Sequence, residues 1–147
     1  MRYYGTASDV AQCIIQSRQA INKPPSHLAL QKLLYFIQRD WMHEAGEPLF
    51  NEDFEAWQFG PVIPKIYKAY QLYGSSPIWA YYEYPANLPP NVQEFIKQKV
   101  VAYKDLSPWE LVNATHKFGT AWSAVWADGA GKGNVIPKSS IMKEANG

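Results

Sequence analysis

The residues of this chain whose types could do chemistry are three histidines, one cysteine, a group of carboxylates and a glycine-rich run. His27, His43 and His116 could each hold a metal or carry a proton. No two of them stand three or four residues apart, the spacing that puts two ligands on one helix face. His27 and His43 fall near opposite ends of one expected helix, roughly 24 Å apart at about 1.5 Å per residue, too far to share an ion. His43 reads as a solvated helix-end residue. His116, beside Thr115 and ahead of Trp122, reads as a hydrogen-bonded core histidine; an enzyme would need it to meet Glu55 across the fold. Cys13 lies among apolar residues with no adjacent histidine, which fits an inert buried thiol better than a nucleophile.

Glu47, Glu52, Asp53 and Glu55 cluster closely enough to suggest acid–base work. Three of them fall in a segment expected to be exposed, where clustered acids keep a surface solvated. Glu55, flanked by Phe54 and Trp57, needs a partner if buried, so structural pairing is the better reading. Gly129-Ala130-Gly131-Lys132-Gly133 resembles a phosphate loop only superficially. Trp126 stands where the first glycine belongs, and Gly133 follows Lys132 where a metal-binding hydroxyl is needed. A flexible surface link is expected there. These residues predict no catalytic set, no metal site and no cofactor.

The elements that position these residues are mostly helical. Thr6 with Asp9 marks a helix start, and Val10, Ala11, Ile14 and Ile15 form its stripe before Pro24-Pro25 stops it. Ser26 can cap a second helix over about 28–44, where Leu30, Leu33, Leu34, Ile37 and Trp41 repeat at helical spacing and Tyr35 and Phe36 widen the stripe. Lys32, Arg39 and Asp40 are expected on its opposite face. Residues 48–60 alternate as a short extended segment or irregular loop, and Gly60-Pro61 is expected to turn the chain. Ile63, Ile66, Tyr67, Tyr70 and Tyr73 make a third stripe ending at Gly74. Residues 75–90 combine four prolines with Trp79, Tyr81, Tyr82 and Tyr84, the pattern of an ordered surface loop. Asn91 with Glu94 suggests a capping box for a fourth helix, and Ser107-Pro108 with Glu110 one for a fifth. Short helical pieces are expected around Trp122–Trp126 and after Pro137. The expected fold class is all-α: a compact bundle of five to seven helices, one domain over 1–147, with a short extended segment around 50–58.

Composition narrows the function classes. The chain has 147 residues, of which 47% are hydrophobic and 18% charged, so it can bury a core. A net charge of +1 without a basic run argues against nucleic-acid binding. One cysteine allows no internal disulfide and suits a reducing cytoplasm. No run of eighteen apolar residues and no secretion signal is visible. Six Trp, ten Tyr and six Phe exceed what a small core needs, and aromatics anchor protein interfaces.

One block is more specific. Leu30-Gln31-Lys32-Leu33-Leu34-Tyr35, then Glu55-Ala56-Trp57, then Gly60-Pro61-Val62, followed by Thr115-His116 and Trp122, resembles the Panacea, or SocA-like, domain of bacteria and phages. The resemblance covers roughly residues 7–145. Similar domains carry proline immediately before the tryptophan; Ala121 stands there in this chain. The resemblance implies an all-helical, phage-associated antitoxin of a toxin–antitoxin system. It would be cytoplasmic and non-enzymatic, and would neutralise a cognate protein toxin by direct binding. Some members of the family look like adaptors that hand the toxin to an ATP-dependent protease, the alternative role. The signature residues Leu30, Tyr35, Glu55, Trp57, Gly60, Pro61, His116 and Trp122 are expected to maintain the fold. Trp79, Tyr81, Tyr82 and Tyr84 are candidates for partner contact, or else pack their loop onto its own domain. Gln31 and Lys32 either face a groove or form a solvated helix face.

Overall fold

The computed structural model describes residues 3–117 and 119–144. Among them are seven α-helices and one small antiparallel sheet, so the mainly α expectation holds. α1 (Ala7–Ala20) starts where Thr6 Oγ1 accepts the Asp9 N–H, and α2 (His27–Ala45) starts where Ser26 caps Ala29. α2 ends at Gly46, whose φ of 76° is the left-handed C-cap conformation. Helices α3 (Pro64–Tyr70), α4 (Pro90–Ala102), α5 (Pro108–His116), α6 (Ala121–Trp126) and α7 (Lys138–Lys143) follow. Ser107 and Glu110 form the expected capping box of α5. The box expected at Asn91 does not form. α4 begins a residue earlier, with Pro90 in its first turn and no side-chain cap, because a proline there gives up no needed N–H.

α2 is the axis of the molecule. It packs against α1, α3, α4, α5, α7 and the sheet, and every residue from Ala29 to Met42 is buried. The amphipathic reading therefore fails on its polar side: Lys32, Arg39 and Asp40 lie inside the fold, because protein surrounds the helix. Arg39 Nη1 donates to Glu144 at 3.0 Å and its Nε to Asp40 at 3.1 Å. Burial opposes the guanidinium charge, but Asp40 and Glu144 outweigh it and hold the Arg39 pKa above its usual range. Tyr35 donates to the same Glu144 at 2.7 Å, and Tyr103 to Asp40 at 2.7 Å.

The extended segment is a strand pair. β1 (Phe54–Trp57) and β2 (Gly60–Val62) form a hairpin whose tip is Gln58-Phe59, so the turn comes before Gly60-Pro61. β3 (Val135–Ile136) joins the other edge of β1. The glycine run is correspondingly an ordered turn, contrary to the flexible link expected. Gly133 N–H donates to Ala56 O at 2.8 Å, and a Cβ on Gly131 would lie 1.7 Å from Val125 O.

Candidate partner-binding surface

Segment 75–90 lies along α1 as a strap fixed at several points. Ile78 N–H donates to Pro25 O at 2.9 Å, Gln19 Nε2 to Ala80 O at 3.1 Å, Gln12 Nε2 to Tyr84 O at 2.7 Å, and Asn87 N–H to Asp9 at 3.1 Å. Ile78 and Leu88 are buried beneath it. The four candidate aromatics divide. Tyr82 is half-buried and its hydroxyl bonds Tyr70 at 2.8 Å, so it packs the strap onto its own fold. Trp79, Tyr81 and Tyr84 are 57%, 91% and 72% exposed on a backbone that is held in place.

A cleft of about 700 Å³ lies over the outward face of the sheet. Strand alternation sends Phe54 and Ala56 into the core and Glu55 and Trp57 outward. The Trp57 ring meets Tyr67 of α3 (centroids 5.0 Å apart), and Tyr67 meets His27 of α2 (4.8 Å), which makes a continuous aromatic wall. Glu55 accepts the Trp57 indole N–H at 3.0 Å. At the hairpin tip, Phe59 stands edge-on to Trp109 at 5.4 Å, and both rings are exposed. No sequence periodicity marks Trp109 and Phe59 as neighbours; only the fold brings the α5 start to the hairpin tip.

Gln31 and Lys32 support this cleft from below. Gln31 Oε1 accepts the Ile63 N–H at 2.9 Å, and Lys32 Nζ donates to Pro61 O at 2.9 Å. Both are buried, so neither forms a solvated face, although Gln31 contributes to the floor of the cleft. Burial lowers the Lys32 pKa from 10.5 to about 7. Burial, and secondarily the Lys32 charge, lower the pKa values of His27 and His116. Gly60, with φ of 111°, is the point of closest approach: a Cβ there would lie 2.7 Å from Thr115 Oγ1 and 2.8 Å from Lys32 Cε. Pro61 follows it in β2, and Leu30 and Tyr35 are core residues of α2.

His116 is not hydrogen-bonded at Nε2, which is buried without a partner; its ring stacks on Trp122 at 3.9 Å and 3°. Trp122 in turn donates to Trp57 O at 2.8 Å, tying α6 to the hairpin. Glu55 and His116 border different hollows and make no mutual hydrogen bond. The other clustered carboxylates have structural partners: Glu47 takes the Tyr4 hydroxyl, Glu52 the Ala7 N–H at 3.0 Å, and Asp53 pairs with Lys138. Cys13 is buried, and that burial pushes its thiol pKa up. Among the described residues no group of three His, Cys, Asp or Glu could hold a metal, and no helix is long and apolar enough to cross a membrane.

The chain is thus a helical scaffold with most of its signature residues buried and with exposed aromatics on segment 75–90 and at the hairpin tip. The family profile described as antitoxin SocA-like, Panacea domain, matches residues 30–123, the stretch from the middle of the cleft floor to the Trp122 anchor. Antitoxin SocA of Caulobacter vibrioides (strain NA1000 / CB15N) is 33% identical over 143 residues, covering 85% of this chain and 72% of that protein. This chain belongs to the SocA-like, Panacea-domain antitoxin family. No solved structure gives a significant match.

Proposed function

We propose that this protein is a cytoplasmic antitoxin that neutralises a cognate protein toxin by direct binding, with no bond made or broken. The observation that carries the reading is the exposure of Trp79, Tyr81 and Tyr84 on a strap whose backbone is already immobilised. Pinned aromatics offer large contact area and lose little conformational freedom on binding, the property of interface anchors. Family membership supports the antitoxin role.

The experiment is co-expression with the small protein encoded beside this gene, scored by growth and by co-purification. Trp79→Ala and Tyr81→Ala should each weaken the complex by more than about 1 kcal/mol, roughly five- to tenfold, with the helical circular dichroism unchanged. Co-purification that survives both changes at full affinity removes the strap from the interface. A neighbour that neither binds nor is neutralised removes direct binding.

A further inference from the structure

The cleft over the sheet differs from a plain apolar groove in its charge. Glu55 Oε1 takes the Trp57 indole N–H, and no cation among the described residues pairs with its carboxylate. Trp57, Tyr67 and Phe59 line the same cleft as that carboxylate. Aromatic faces carry negative quadrupole density, so a cation held against them beside a carboxylate is attracted by both, whereas an anion would be repelled. His27 completes the wall without opposing charge, because burial and Lys32 favour its neutral form. Lys132, exposed on the glycine turn, is the one competing positive group lining the cleft.

Among cations, a guanidinium fits better than an ammonium. Its plane stacks on indole and phenol rings, its fork matches a carboxylate, and its weaker hydration makes entry less costly. A volume of about 700 Å³ takes an arginine side chain together with the segment that carries it. We propose that the Glu55–Trp57–Tyr67 cleft receives an arginine side chain of the bound toxin; this rests on the direct-binding reading above.

The test uses the full chain and a probe that needs no toxin. The Trp57 indole N–H resonance, assigned by its loss in Trp57→Phe, reports on the Glu55 carboxylate it touches. N-acetyl-arginine amide should move it saturably, while N-acetyl-norleucine amide should not. Glu55→Gln, which keeps an oxygen for the indole, should weaken arginine binding about tenfold, as expected for losing a charged hydrogen bond, and Lys132→Ala should strengthen it. Equal response to norleucine amide, or preference for N-acetyl-glutamate amide weakened by Lys132→Ala, would overturn the proposal. With the co-purified toxin, Glu55→Gln should again cost about tenfold in affinity. An unchanged toxin affinity alongside intact arginine binding rejects the assignment to the toxin. Absence of any toxin complex rejects the direct-binding reading instead and leaves the probe result standing.

Discussion

Lys32 gives the sharpest test of how the hairpin is held. Its side chain is 0% exposed, and its amine donates to a backbone carbonyl with no carboxylate paired to it. Desolvation brings its pKa from 10.5 to about 7. The folded-state value lies below the unfolded one, so folding favours the neutral amine, and stability falls as pH drops from the unfolded pKa toward the folded one. At about pH 7 the unfolded chain binds roughly half a proton more than the folded chain, and at about pH 9 nearly a full one. Integrating across that window gives a stability gain of about 2 kcal/mol on raising the pH from 7 to 9. Urea unfolding at each pH, for the wild type and for Lys32→Met, measures it. The methionine variant fills the same space without titrating, and it subtracts the thiol and phenol groups that ionise in the same range. The difference between the two proteins should rise with pH by about 2 kcal/mol. Parallel curves would refute the buried-amine argument, and with it the reading of Lys32 as an amine that loses its proton near pH 7 under the hairpin.

Gly60→Ala should cost at least about 2 kcal/mol, because it combines a positive φ with contacts below 3 Å to Thr115 and Lys32; thermal melts read this directly. If neutralisation is occupancy of the toxin surface, toxin half-life in growing cells should be the same with and without each ATP-dependent protease. A half-life that lengthens only when one protease is removed would make this chain an adaptor.

The sequence made local features legible and left long-range ones hidden. Thr6, Ser26 and the Ser107–Glu110 box placed three helix starts, because capping is a matter of three or four adjacent residues. Lys32, Arg39 and Asp40 went to the wrong environment because periodicity assumes that charge faces water. It cannot register that six other elements surround α2, or that Glu144, 105 residues away, arrives to pair with Arg39. β3 has two residues, too short for any alternation to show. The signature residues were visible as a group. What each does, such as Lys32 propping Pro61 and Trp122 gripping Trp57, depends on tertiary approach that no spacing encodes.

Ala121 has a structural use that rests on its backbone N–H. The Ala121 N–H donates to Glu144 Oε1 at 2.8 Å, and the same carboxylate takes Tyr35 and Arg39. Glu144 thus joins the start of α6 to the centre of α2, and it can do so only because position 121 has an N–H to give. The backbone would accept proline: Ala121 is the first residue of α6, and Thr120 before it already has ψ of 156°. Ala121→Pro therefore deletes one charge-assisted bond, worth about 1.5–3 kcal/mol, against a gain of about 0.4–1 kcal/mol from a stiffer unfolded chain. The expected net loss is about 1–2 kcal/mol by urea unfolding. In a Glu144→Gln background, where the acceptor has lost its charge, the loss should shrink to a fraction of that. A loss of the same size in both backgrounds would mean that the Ala121–Glu144 bond contributes nothing, and that the C-terminal segment is held by Arg39 and Tyr35 alone.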